Sequence, residues 1–325
     1  MIAYERRACT VLHNLLACHL PTKPILLPAN VCPIVPITLH KARRSFEFVD
    51  ISRATLCIDH EKLLARWTAS AEPPGGLIYV RTYGAIFETG GLFDEIKRLT
   101  PGALIIDDRC ACAPSFAADA LLEHVDAVMY STGYAKHADI GFGGYALLKD
   151  ESLYRRIRLP FNVRDLEFQT AQHKKALSSR REFNYIDNAW LDFLEPEADW
   201  AAYRKMVEEK ATQVSLAKQT INRIYSSRLP QEIQLSSEFQ EWRFNIHVAD
   251  KPALLTAIGE AGLFASGHYD SLDGLFGTGT GENARALHRH VVNLFNDLHF
   301  DVDRATLLAN LIRNTTGLAP SPLGL

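Results

Sequence analysis

The chain has 325 residues, 47% of them hydrophobic, with a formal net charge of −3: a globular composition with room for one large domain and a smaller one. That charge carries no sequence-wide basic signal for nucleic acid, and the pairs Arg6-Arg7, Arg43-Arg44 and Arg180-Arg181 are too short to form a tract. The opening MIAYERRACT carries charge where a signal peptide needs an apolar core, and no apolar run reaches membrane-spanning length, so a cytoplasmic protein is expected.

Taken in order, Ala8 to Cys18 has apolar residues at helical spacing directly after Arg6-Arg7, and the free amides of such a helix start attract phosphate. Short apolar strands follow, separated by helical or loop segments: Pro24 to Pro28, Phe46 to Ile51, Leu77 to Gly84, Ala103 to Asp108, Ala127 to Ser131 and Tyr145 to Leu148. This alternation predicts an α/β fold, a mostly parallel sheet sandwiched by helices, with ligands at the carboxyl ends of the strands. The last strand follows a glycine loop too short for a helical crossover and is expected to be antiparallel. Beyond Asp150 the sequence turns charged and helical, and Ala198 to Arg228 is expected to be a long bridging helix. Strand-like Glu241 to Val248, a helix over Pro252 to Glu260, a short run Phe264 to Tyr269, a helix near Ala284 to His290, strand-like Val291 to Phe295 and a helix over Val302 to Arg313 predict a small α+β domain. The boundary is expected at 1–195 and 196–325. The glycine-rich stretch Ser271 to Asn283 lacks the preceding strand and following lysine of a phosphate loop and reads as a flexible surface loop.

Six cysteines, Cys9, Cys18, Cys32, Cys57, Cys110 and Cys112, lie among apolar residues in the first third, which fits reduced core thiols. Cys110 and Cys112 lack zinc-ligand spacing and a second pair, so no metal site is expected.

Two landmarks carry chemistry. Strand Ala103 to Asp108 ends in two carboxylates, and Lys136 lies 28 positions after Asp108 in a loop of small residues, between an apolar strand and Gly141, Gly143 and Gly144. A lysine and an aspartate at neighbouring strand ends suggest pyridoxal 5'-phosphate (PLP), the lysine forming a Schiff base and the aspartate holding the pyridine nitrogen protonated. The bland alternatives are an exposed lysine and a capping carboxylate. His137 reads as a loop histidine or as a dehydratase histidine, Arg109 as a charge near the cofactor or a bridge to Asp107. His268 and Tyr269 read as entrance residues or packing. Trp242 and Arg243 carry no separable functional signal.

With these residues in place, the chain resembles the PLP-dependent sugar aminotransferases of the DegT/StrS type, of fold type I, from about Glu5 to Arg313. Asp107-Asp108 matches the family's strand-borne acidic pair. Ser131, Lys136 and Gly141 to Gly144 match its S-x-x-x-x-K loop followed by G-x-G-G. Val80 to Gly84 resembles its VHLYG, Phe183 to Tyr185 its GYNYR segment, and Leu263 to Leu272 its IFVSVHYPPL-like sequence. The resemblance implies Lys136 as Schiff-base lysine and proton shuttle, Asp108 as pyridinium partner, Ser131 as a phosphate ligand, and Arg7 and Ala8 where family members bind phosphate through backbone amides. It also implies that Asn184 reaches the phosphate from the neighbouring subunit of a homodimer with shared sites. Three positions depart from the family. Cys32 stands where many members place an aromatic ring over the cofactor, Ala111 replaces a glutamine, and about five residues precede the phosphate-binding turn. The implied function is transfer of an amino group from an amino acid, glutamate being expected, to a nucleotide-linked keto-sugar. The alternatives are a PLP- or nucleotide-sugar-binding relative without turnover and a PLP-dependent sugar dehydratase.

Overall fold

The computed structural model describes residues 1–19, 23–69, 72–277 and 279–315. Strand β1 (Ile2–Glu5) leads directly into helix α1 (Ala8–Cys18). Then come β2 (Ile25–Pro28), α2 (Ile34–Lys41), β3 (Phe46–Val49), α3 (His60–Thr68), β4 (Gly76–Val80), α4 (Gly90–Leu99), β5 (Leu104–Asp108), β6 (Ala127–Ser131) and β7 (Gly144–Leu148). These seven strands form one sheet in the order β1-β7-β6-β5-β4-β2-β3. The pairs from β2 to β6 are parallel, while β7 runs antiparallel to β6, as the short glycine loop requires.

Strand β1 is not foreseen in the sequence, because four residues beside a charged pair give little periodicity. Its place comes from a partner far along the chain: it pairs antiparallel with β7, from Ile2 opposite Leu147 to Glu5 opposite Gly144. Glu5 is fully buried there, facing Arg156 at 3.2 Å and Arg158 at 2.9 Å.

Both faces of the sheet are covered. Leu104, Ile106, Ala127 and Met129 point into one apolar cluster, and Ile105, Val128, Tyr130 and Tyr79 into the other. Two-sided burial explains why these strands read as continuous apolar runs rather than alternating ones.

After α5 (Val163–Ser179), helix α6 (Trp200–Arg228) spans roughly 43 Å at 1.5 Å per residue. Its early residues Tyr203 and Val207 pack on the large sheet, and its later residues Ile221 and Tyr225 on a second core. That core is closed by β8 (Phe244–His247), α7 (Lys251–Glu260), β9 (Ala265–Gly267), β10 (Val291–Leu294) and α9 (Val302–Asn314), its sheet ordered β8-β10-β9 and antiparallel, while α8 (Glu282–His290), before β10, turns Ala284 and Leu287 into the large sheet's core.

The glycine-rich stretch 271–283 is not a surface loop. Leu272, Leu275 and Phe276 are buried against the large sheet's core, and Gly279 bridges to Phe48. A β-carbon at Gly279 would lie 2.4 Å from the Phe48 carbonyl oxygen, so glycine here permits a close backbone approach rather than flexibility. Thr278, and residues 316–325 of the expected C-terminal domain, lie outside the described residues. No described helix is long and apolar enough to cross a membrane.

Candidate active site

The carboxyl ends of β2, β5 and β6 open on one edge of the sheet, and two glycines bring a helix start to it. The Gly143 N–H donates to the Arg6 carbonyl at 2.7 Å, and a β-carbon at Gly144 would lie 2.3 Å from the Ala8 nitrogen. Only at glycine can β7 pass so close to the first turn of α1. No side chain caps that turn and no acidic residue stands in it. Its N-terminal amides and positive dipole end make an anion-binding wall.

A cavity of about 190 Å³ lies against this wall, lined among others by Arg7, Ala8, Cys32, Asp108, Ser131 and Lys136. Six of the seven residues expected at the site are therefore brought together from positions 7 to 136. The Ser131 hydroxyl and the Arg7 guanidinium both lie within 4 Å of where a β-carbon of Gly133 would stand. The Arg7 side chain also donates to the Gly141 carbonyl at 2.8 Å and lies 3.5 Å from Asp192.

The two carboxylates of β5 have divided roles. Asp107 is fully buried and receives both Arg81, through Nε at 2.8 Å and Nη2 at 3.0 Å, and Arg109, through Nε at 2.9 Å. Arg109 thus takes the bland reading, a bridge to Asp107. One oxygen of Asp108 accepts the Cys110 N–H at 2.9 Å; the carboxylate otherwise faces the cavity.

Lys136 hangs from a loop held at several points. Asp139 accepts the N–H groups of Ala135 at 2.8 Å and Gly141 at 2.9 Å, and the Thr132 hydroxyl donates to the Phe142 carbonyl at 2.7 Å. Ala135 sits at φ 59°, a left-handed conformation that turns the chain into Lys136, and its carbonyl accepts the indole N–H of Trp242 at 2.8 Å. Burial works against the Lys136 ammonium; the Cys110 and Cys32 side chains, to the extent that they ionise, and the Asp108 carboxylate favour it and hold the amine above its ordinary range.

Three of the six thiols, Cys9, Cys32 and Cys110, line the cavity, Cys9 and Cys110 while also packing against the core, and all six cysteines are free. Burial pushes the Cys9 thiol up to about 12 and Cys110 well above its usual range, so both stay protonated at neutral pH. The Cys32 thiol and burial hold the Tyr269 phenol well above its ordinary range. Tyr269 and His268 line a neighbouring cavity of about 300 Å³ that shares Tyr134 with the first. His268 bonds the Asn30 carbonyl at 3.2 Å and is pushed down to about 3 by burial, a neutral packing group. A larger groove of about 930 Å³, between α6 and residues 231–241, contains neither Lys136 nor Asp108. Its Gln234 and Gln240 side chains are already bonded to backbone carbonyls, so size does not make it the reactive site.

His137 is 2% exposed, does not line the cavity, and is held neutral, down at about 3, by burial and the nearby Lys218 and Arg243 charges. Asn184 is exposed and does not line its own chain's cavity, with its neighbours tied down: Phe183 donates to the Leu275 carbonyl at 2.7 Å and Tyr185 stacks on His40 at 5.1 Å. Sequence reasoning missed Asp139 and Trp242. A carboxylate two residues before a glycine is a visible turn signal for the first; nothing local announces the second.

Comparison of the sequence with family models and with curated proteins finds no match. The fold has many counterparts among solved structures. One is a DegT DnrJ EryC1 StrS aminotransferase from Brucella abortus, 15% identical, at TM-score 0.68 over 96% of this chain and 85% of that one. A sugar aminotransferase from Micromonospora echinospora, 16% identical, matches at 0.69 over 96% and 86%. The E. coli GDP-4-keto-6-deoxy-D-mannose-3-dehydratase with bound hydrated PLP, 16% identical, matches at 0.63 over 95% and 87%. The chain therefore has the α/β fold of PLP-dependent sugar-modifying enzymes, with a large mostly parallel sheet and a small α+β part.

Proposed function

We propose that this protein is a PLP-dependent aminotransferase that moves an amino group from an amino acid, glutamate being the expected donor, to a nucleotide-linked keto-sugar. The observation that carries the reading is the single cavity shared by Lys136, Asp108, Ser131 and the uncapped start of α1. These residues fit the cofactor: helix-start amides and a hydroxyl for a phosphate, a carboxylate for a pyridine N–H, and an amine for an aldehyde.

When bound, PLP supplies an electron sink for a carbanion beside the transferred nitrogen. The chain's own part is to bind and move protons. The α1 amides, Ser131 and Arg7 hold the phosphate; Asp108 accepts the pyridine N–H. Nζ of Lys136 takes the α-proton of the amino donor and gives it back in the second half of the exchange. Lys136 must first lose its own proton, because the cavity favours its charged form. The dehydratase reading needs a histidine in place of the lysine, and His137 is buried away from the cavity.

Purified protein incubated with PLP should turn yellow, and borohydride should fix the ring to Lys136, with glutamate then aminating a member of a panel of nucleotide-linked keto-sugars. Trapping at another lysine, or no absorbance change at all, would overturn the reading; trapping at Lys136 with no turnover on the panel would favour a binding relative. The reading includes a cytoplasmic homodimer in which Asn184 serves the partner's site, and a domain boundary near residue 195.

A further inference from the structure

Trp242 reaches from outside the large sheet to the backbone beside Lys136. Its indole N–H donates to the Ala135 carbonyl at 2.8 Å across 107 positions of sequence, and its ring lies parallel to that of Tyr83 at 6.1 Å. The backbone of Trp242 is held in turn: its carbonyl accepts Nζ of Lys218, from α6, at 2.7 Å, and the same Nζ donates to the Asn296 side chain at 2.8 Å. Lys218 is 4% exposed. Its charged neighbours are Arg243, Asp297 and Glu241, with His137 from the lysine loop on the same side. Burial first, then Arg243, push the Lys218 amine down to about 7 against the pull of Asp297 and Glu241. The amine donates to two acceptors, the Trp242 carbonyl and the Asn296 amide oxygen. A buried lysine whose donors end on a backbone carbonyl and an amide is a brace, not a surface charge.

We infer that Trp242 is a positioning residue for Lys136, braced by Lys218, so that the left-handed turn at Ala135 keeps the Lys136 amine inside the cavity. The chain of contacts runs from Asn296 through Lys218 and Trp242 to Ala135, and no residue in it lines the cavity except Lys136 at its end. The inference rests on the proposed role of Lys136 only for its consequence in catalysis; the geometry stands without it.

The test is reductive methylation of the full-length, cofactor-free protein with formaldehyde and cyanoborohydride, followed over a pH series by peptide mass spectrometry. The exposed Lys174 and Lys205 serve as internal references. Trp242→Phe keeps the ring and removes the indole donor. Lys136 in this variant should be methylated several-fold faster than in wild type, with its labelling midpoint moved down toward that of the reference lysines, while the melting temperature stays close to wild type. Lys218→Met, which keeps the aliphatic stem, should move Lys136 in the same direction and serves alone if Trp242→Phe does not fold. Unchanged Lys136 rates and midpoint in a folded variant would overturn the inference. If wild-type protein never takes up PLP yet Lys136 labelling responds, the proposed function fails and the positioning role stands.

Discussion

Asp107 and Asp108 are identical side chains on consecutive residues, and their partners make them opposite in consequence. Asp107 neutralises two buried guanidiniums, so Asp107→Asn leaves Arg81 and Arg109 without a counter-charge, a loss of about 3–5 kcal/mol by the usual cost of breaking a buried pair. Its denaturation midpoint should fall sharply. Asp108→Asn keeps an oxygen for the Cys110 N–H and should unfold close to wild type, while losing most transaminase turnover, because an amide cannot hold a pyridinium proton. Equal stability losses in the two variants would refute the division. Lys136 supplies a pH prediction at the same scale. Its amine titrates above the ordinary lysine range, so at neutral pH the reactive uncharged fraction is small and grows about tenfold per pH unit until that range is reached. The rate of PLP capture, followed by absorbance, should therefore climb steeply between about pH 7 and 9; a flat profile would mean that the amine is already neutral.

At the scale of elements, the site depends on how closely α1 approaches β7. Gly144→Ala would drive a β-carbon into the Ala8 backbone, at 2.3 Å from both N and Cα, where no flexible side chain can give way. Overpacking of this kind costs about 1–3 kcal/mol and displaces the backbone. The first turn of α1 should move from Ser131, and PLP affinity should fall far more than that of unphosphorylated pyridoxal; parallel losses for both would show that the turn does not bind phosphate. This element was partly legible in advance. The helical spacing of Ala8 to Cys18, the strand before Lys136 and the glycines after it are local patterns, and they located α1, β6 and β7. Strand β1 was not legible, because its pairing with β7 joins residues about 145 positions apart. Trp242 was hidden for the same reason: an indole donor has meaning only beside the carbonyl it meets, 107 residues away. The glycines of 271–283 suggested freedom, whereas the buried leucines among them packed the stretch down. Residue types that must react were visible in sequence; residues that act by holding backbone were not.

At the scale of the molecule, one chain builds a cavity with an open side. Asn184 is exposed, on a segment anchored at both ends by Phe183 and Tyr185, so the asparagine is presented outward rather than folded back. Nearby α5, a helix that this chain barely covers, buries only Gln169 and Ala176 among its 17 residues and leaves Val163, Phe168 and Leu177 exposed. In a closed two-fold dimer each chain would offer segment 181–186 to its partner, so that both sites form or neither does. Lys136→Ala chains lack the amine but keep Asn184; Asn184→Ala chains keep the amine but, on the proposed reading, would weaken the partner's phosphate cup. After the two are mixed and allowed to exchange, one site of each heterodimer pairs intact Lys136 with intact Asn184, and activity should exceed that of either parent. A fully active monomer by sedimentation, or no gain on mixing despite verified exchange, would mean that each chain completes its own site.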